Sequence, residues 1–149
     1  MYLLNNNLIA HPALYLSKFI IENKAEYYHL LSSVTQQAAW KPWIIYIMRA
    51  VEQTSKHTNQ LIDSILSQMD ATLNYGMRNL KWYNSDVNAA LFEQPYHKQK
   101  TIERITKKTS RNTINLYLNQ LTDLGILTPK VISGKTFYIN ADMVRILEG

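Results

Sequence analysis

The sequence predicts a mainly α chain, with an N-terminal segment of bundled helices followed by a small domain of short helices and one β-hairpin. Three observations carry this. Gly and Pro number only 4 each in 149 residues, so long stretches contain nothing that ends a helix. Apolar residues recur at the helical period over most of the chain, most plainly from Trp40 to Leu80. Near the C-terminus the pattern shifts to two strand-like runs flanking Ser133-Gly134.

Composition sets bounds on function. Apolar residues make up 46% of the chain, enough for a core, while charged residues are 18%, below the usual share of about 25%. The net charge is +5. Residues 1–83 carry 7 basic and 5 acidic side chains, and residues 84–149 carry 9 and 6. That excess permits a nucleic-acid partner without demanding one. With no cysteine, a disulfide framework and a thiolate zinc site are both excluded, and a cytoplasmic location fits. The opening MYLLNNNLIAHP has neither the basic start nor the apolar run of a signal peptide. The apolar segment Trp43–Met48 is too short to span a bilayer, so no membrane partner is expected.

Residues 1–10 show no clear period. Pro12 suits a first helical turn, and Leu14, Leu16, Phe19, Ile20 and Ile21 make a broadly apolar helix from Pro12 to about Ile21. So wide an apolar surface needs partners on more than one side. Asn23 is the expected cap of the next helix, with Glu26 completing a capping box. It carries Tyr27, Tyr28, Leu30, Leu31 and Val34 and fades by Gln37; the two Tyr rings are expected to pack against neighbouring helices with their hydroxyls at the edge, a recognition surface being the alternative. Trp40, Trp43, Ile44, Ile47, Met48 and Val51 then form one stripe. Polar residues from Glu52 to Gln60 interrupt it, and Leu61, Ile62, Ile65, Met69, Leu73 and Leu80 continue it. This is one long helix, or two with a break near Ser55–His57 or Gly76. Its second half has the spacing of a helix that packs on a partner, in this chain or in a second copy, so homodimerisation is one expectation.

Residues 82–86, WYNSD, mark the expected domain boundary, giving domains 1–83 and 84–149. Asn84, Ser85 and Asp86 all favour a helix start. Val87, Leu91 and Phe92 belong to that helix, which Pro95 ends. A second helix spans roughly Lys100 to Thr106 with Ile102 and Ile105 inward, and Lys107–Thr109 form the turn after it. The third helix begins with Ser110 as N-cap and Arg111 and Asn112 in its first turn. Ile114, Leu118 and Leu121 form its inward stripe, flanked by Tyr117 and Leu124. Gly125 is its expected C-cap, after which Ile126 and Leu127 return to the core. Strands over Leu127–Ile132 and Lys135–Ile139 follow, then a last helix over Asp142–Leu147. Short helices about a tight turn, then a hairpin, is the order of a winged helix-turn-helix.

On such a module the third helix would turn Arg111, Asn112, Asn115 and Asn119 toward a major groove. Arg can bind guanine bidentately and Asn can do the same for adenine. Lys98, Lys100, Lys107 and Lys108 would meet phosphates near the start of that helix, and Lys130 and Lys135 would reach the backbone from the wing. The helix holds a single cation, Arg111, and a single acid, Asp123, so a protein contact is the other expectation for this module. The residues suggest no catalytic site. His11, His29, His57 and His97 are scattered without metal-ligand spacing. No catalytic, cofactor-binding or metal-binding residue is assigned.

The run Pro12-Ala-Leu-Tyr-Leu-Ser17, then Asn23-Lys24-Ala25-Glu26-Tyr27-Tyr28, Leu30-Leu31, Val34, Trp40, Trp43-Ile44 and Val51, resembles the end of the Fic (filamentation induced by cAMP) domain. Leu91-Phe92, Pro95-Tyr96, Ser110-Arg111-Asn112-Thr113, Tyr117-Leu118, Leu121, Gly125-Ile126-Leu127 and Tyr138-Ile139-Asn140 are similar to the winged helix that follows this domain in many bacterial members. The resemblance covers the chain from about Leu8 to Leu147. It implies a parent protein that transfers AMP from ATP, with magnesium, to a hydroxyl on a target protein. The family's signature loop, with its histidine base, acidic metal ligand, Gly-Asn-Gly nest and arginine, lies upstream of the Leu-Tyr-Leu-Ser helix and is absent from this chain. No Gly-x-Gly run occurs, so no catalytic or ATP-binding residue carries across. The chain is then expected to be the non-catalytic C-terminal region of a Fic-type protein, either a piece of a longer protein or the product of a truncated gene. Its winged helix would bind DNA or a protein and regulate or target the parent. The apolar surfaces around Leu14–Ile21 and Trp40–Val51 would pack on the missing Fic core or on a second copy, and otherwise stay exposed. The alternative is a free-standing dimeric transcription regulator.

Overall fold

The computed structural model describes residues 15–148. In chain order the elements are α1 (Ser17–Glu22), α2 (Lys24–Gln37), α3 (Trp40–Asn79), α4 (Ser85–Leu91), β1 (Tyr96–His97), α5 (Gln99–Thr106), α6 (Arg111–Asp123), β2 (Thr128–Ile132), β3 (Lys135–Ile139) and α7 (Ala141–Glu148). The chain is mainly helical, with a small sheet near its C-terminus. It divides into two compact units, one ending at Ile62 and one beginning at Asp63. Helix α3 passes unbroken through both proposed break points.

In the first unit the core is small. Phe19, Tyr46 and Ala50 are buried, with Leu16, Tyr27, Leu30 and Ile47 packed against them. Tyr27 lies edge-on to Tyr28 and tilted against Trp43, with ring centroids 5.3 Å apart in each pair. The inward line of α3 is therefore Trp43, Tyr46, Ile47 and Ala50, at i, i+3, i+4 and i+7. Trp40, Ile44 and Met48 of the apolar stripe are 59%, 54% and 67% exposed, as expected of a surface with no missing core or second copy to cover it. Residues at helical spacing from one another are not thereby on the buried side, and here tyrosine and alanine mark that side. Asn23 departs from expectation. Its side chain makes no cap bond to α2, and its amide Nδ2 donates to the Phe19 carbonyl at 2.8 Å. It closes the end of α1, and Glu26 instead pairs with Arg49 at 3.3 Å. The expected beginning of α1 at Pro12, with His11 and Leu14, lies outside the described residues.

The second unit is built around the buried side chains of Leu80, Tyr83, Val87, Leu91, Phe92, Ile102, Ile114, Leu118, Leu121, Ile126, Leu127 and Met143. Ile65, Met69 and Leu73 of α3 pack against this cluster, so the partner for that helix's second half is found in the same chain. A turn then folds Tyr83 back onto α3, and Gly76 makes room for it. A Cβ at Gly76 would lie 2.5 Å from the Tyr83 ring. The Tyr83 hydroxyl donates to Asn88 Oδ1 at 2.8 Å, and Asn88 Nδ2 donates to the Met69 carbonyl at 3.0 Å. Asn84 caps α4 by accepting from the Val87 N–H at 3.0 Å.

Helix α6 has the expected end. Gly125 adopts φ +71°, its N–H donates to the Thr122 carbonyl, and the Ile126 N–H donates to the Leu121 carbonyl. This is a Schellman motif. Ser110 stands at the N-cap in extended conformation, but its side chain makes no cap bond. Leu127, expected in β2, belongs to this cap, since its N–H reaches the Leu121 carbonyl at 3.2 Å.

The sheet has the order β1-β3-β2 and is antiparallel throughout. Ser133 and Gly134, at φ +50° and +74°, form the two-residue turn that right-twisted strands prefer. Ile132 pairs with Lys135 beside the turn, and Pro129 pairs with Tyr138. Counting outward from the turn, Pro129 falls at a position that does not bond to β3. Its missing N–H faces the open edge of β2 and costs no ladder bond. The two-residue β1 was not anticipated.

Candidate nucleic-acid interface

The inward face of α6 is set by Ile114, Leu118 and Leu121, all essentially buried. That fixes its outward face. Arg111, Asn112, Asn115 and Asn119 are exposed, as is Leu116. Helix α5 is fixed in turn by buried Ile102, and the Thr106 hydroxyl donates to the Ile102 carbonyl at 2.7 Å. Lys107 then turns the chain at φ +53°, a left-handed conformation uncommon outside glycine. This turn leaves Lys107, Lys108, Thr109 and Ser110 exposed ahead of α6.

The structure gathers part of the expected site on the hairpin. Lys130 is the register partner of Phe137, and directly paired residues share one face of a sheet. Lys135, two residues before Phe137, lies on that face too. Lys98 brings its ammonium 5.4 Å from the Phe137 ring centroid, a cation–π contact worth about 0.5–1 kcal/mol at an exposed site. Lys130 and Lys135 thus share a face of the wing with Phe137, whose ring Lys98 contacts. Lys107 and Lys108 belong to a different feature. They line a cleft of about 280 Å³ with Trp82, Ile105 and Tyr117. There Trp82 and Tyr117 stack at 3.9 Å between centroids, and Trp82 Nε1 donates to Gln120 Oε1 at 2.7 Å. Lys100 stands apart from both groups on the first turn of α5.

Most cations of the described residues stand outside ion pairs, Lys18, Lys24, Lys41, Arg78 and Lys81 among them. Among the described residues the ion pairs are Arg49–Glu26, Lys56–Glu52, Arg104–Glu93 and Arg145–Asp142. Lys98, Lys100, Lys107, Lys108, Arg111, Lys130 and Lys135 take part in none of them, and all seven are exposed.

Behind this surface lies a buried polar knot that sequence reasoning missed. His97 is fully buried, and its Nε2 donates to the Leu91 carbonyl at 3.1 Å. Asn140 Nδ2 donates to the same carbonyl at 3.1 Å, while its Oδ1 accepts from the Met143 N–H and caps α7. Its own N–H donates to the Pro95 carbonyl at 3.0 Å. These bonds tie α4, β1 and α7 together at the base of the wing. Burial lowers the His97 pKa below its ordinary 6.5, against the opposing pull of the Leu91 carbonyl, Glu93 and Gln94. Burial also raises the Tyr83 pKa. The one sequence sign of the knot was a helix-start asparagine, Asn140, directly after an apolar strand.

A model of the C-terminal domain of SoFic-like protein adenylyltransferases matches residues 65–143, more than half of the chain. The chain belongs to this family. In this SoFic-like C-terminal domain the match begins within α3 and runs through α6 and the hairpin into α7. It therefore takes in both the helix that Tyr83 packs against and the polar knot.

The ATP and magnesium implied by the Fic resemblance do not fit these residues. Among the described residues no three His, Asp or Glu side chains converge to hold a metal ion. Gly76 is packed under Tyr83, while Gly125 and Gly134 each serve a turn. None of them forms an anion nest. Among the described residues, no helix is long and apolar enough to cross a membrane.

Proposed function

We propose that this chain is the non-catalytic C-terminal interaction module of a Fic-type protein adenylyltransferase, and that its winged helix engages a macromolecular partner to regulate or target the parent enzyme. Of the two partner classes, DNA or protein, double-stranded DNA is favoured by one observation: seven exposed cations outside any described ion pair lie on α5, α6, the turn between them and the wing. Unpaired surface cations release counterions from a phosphate backbone on binding, and that release drives protein–DNA affinity. Lys98, Lys130 and Lys135 on the wing suit one stretch of backbone. Lys107 and Lys108 suit another at the entry to α6, where Arg111 would reach a base edge, and Lys100 adds to the same charge.

The test is titration of the purified chain against mixed genomic duplex DNA at low and moderate salt. Saturable binding that weakens with salt supports the reading. Arg111→Ala should then weaken binding and relax its sequence preference, whereas Lys135→Ala should weaken it about equally for all sequences. Absence of binding even at low salt refutes the DNA reading and leaves a protein-docking module.

A second reading has its own observation. Trp40, Ile44, Ile45 and Met48 leave apolar side chains exposed on α3, and clustered exposed apolar residues can mark a contact site. In a free-standing dimeric regulator a second copy would cover it. Sedimentation of the purified chain as a stable dimer, with preferred half-sites about 34 Å apart on DNA, would favour that reading. A monomer would favour the module, whose apolar area awaits the rest of its parent.

A further inference from the structure

We propose that the outward face of α6 reads A·T base pairs in the major groove, with Leu116 contacting the methyl group of thymine. This rests on the DNA reading above and adds the class of sequence recognised. Asn112, Asn115, Leu116 and Asn119 stand at i, i+3, i+4 and i+7, so they form one stripe along the helix. All four are exposed, on the side opposite buried Ile114, Leu118 and Leu121. The three asparagine side chains make no hydrogen bond to any other described residue, so each keeps a donor and an acceptor for a ligand.

Base-edge chemistry selects among the four bases. Adenine offers an acceptor at N7 beside a donor at N6, which one carboxamide satisfies at both atoms. Guanine offers two acceptors and needs a two-donor group such as Arg. The stripe holds no cation, and Arg111 lies beside it at the helix start. Cytosine offers a donor and prefers a carboxylate. Asp123 is the acid of this helix, and it stands in the last turn. The thymine methyl is the apolar group in the groove. Leu116 is 53% exposed in the middle of an otherwise polar stripe. A single exposed leucine is common and by itself means little. Flanked by three free carboxamides, it supplies the contact that adenine's partner base requires.

The test starts with selection of the purified chain on a random duplex pool at fixed moderate salt, followed by sequencing. Selected sites should have a core of A·T pairs. On the selected duplex, replacing core thymines by uracil removes only the methyl group and should weaken binding about fourfold. The Leu116→Ala variant should lose that sensitivity. Replacing core adenines by 7-deazaadenine should weaken binding about fivefold or more, and Asn115→Ala should lessen that effect. A G·C core, or equal uracil sensitivity with and without Leu116, overturns this inference. So does salt-dependent binding without any sequence preference, which leaves the DNA reading standing. No binding at low salt overturns both.

Discussion

Replacing Gly76 by alanine sets two effects of opposite sign against each other. Gly76 lies in the last turn of α3, and helix propensity alone would make alanine more stable by about 1 kcal/mol. The packing opposes this. The new Cβ would meet Tyr83 Cδ1 and Cε1 at 2.5 Å, whereas carbon atoms in contact sit about 3.5–4 Å apart. The ring must retreat by about 1 Å, and its hydroxyl is held by Asn88, which is held in turn by the Met69 carbonyl. Overpacking of this kind costs about 1–3 kcal/mol, and losing a buried hydrogen bond adds about 1 kcal/mol. The net expectation is a loss of about 2 kcal/mol. In urea, at a slope of about 2 kcal/mol per molar, the unfolding midpoint should fall by about 1 M. Circular dichroism and tryptophan fluorescence both follow the transition. In a Tyr83→Leu background the same glycine substitution should become neutral or stabilising, because the ring it strikes is gone. A midpoint for Gly76→Ala at or above that of the natural chain would refute the argument.

Two further outcomes follow from the knot beneath the wing. Asn140→Ala removes both the α7 cap and a donor to the Leu91 carbonyl, and should destabilise by about 2 kcal/mol in urea unfolding. Asn140→Ser keeps a cap acceptor and should fall between the two; a serine variant no better than alanine would remove the cap from the account. His97 makes stability depend on pH. Its folded pKa lies below 6.5 because burial disfavours the charged ring, so the unfolded chain takes up a proton first as pH falls. Stability should be full above about pH 6.5 and decline below it, toward the folded pKa. Urea midpoints between pH 7.5 and 5 should show this decline, and His97→Gln should flatten it; an unchanged slope would assign the dependence to other groups.

Legibility in the sequence followed the strength of the local signal. Helix α6 was readable because three independent marks agreed: an apolar stripe, a polar start and Gly125 at its end. The hairpin was readable because Ser133-Gly134 interrupts two strand-like runs. β1 was not, since two residues leave no alternation to detect. Trp40, Ile44 and Met48 were legible as an apolar surface that stays exposed without a partner, and they are exposed. The actual inward line uses Tyr46 and Ala50, whose burial depends on which helices cross there. Asn23 shows the same limit, because the residue types that cap a helix start also close the end of the helix before it. Within the candidate interface, exposure of the four expected side chains on α6 followed from knowing the buried face of that helix. The grouping of Lys98 with Lys130 did not, because it depends on β1 pairing with β3. Leu116 could have been noticed as an apolar residue on the wrong side of an otherwise consistent helix.

Residues from Asp63 onward show why the family match begins inside α3. Asn88 bonds to the Met69 carbonyl, Gln68 donates to Asp142 at 3.0 Å, and Ile65, Met69 and Leu73 cover the same core as α6. Two of these bonds are polar and reach different elements, α4 and α7, so the end of α3 cannot shift past either without leaving a polar group unpaired. Trp82, just beyond that helix, stacks on Tyr117 and bonds Gln120, both on α6. Helix α6 is thus held by residues belonging to α3 and the turn that follows it. Within this unit, a displacement of α3 and its following turn must either carry α6 with it or break the Trp82–Tyr117 stack. That is the physical requirement for a module whose grip on a partner is to be felt along the chain.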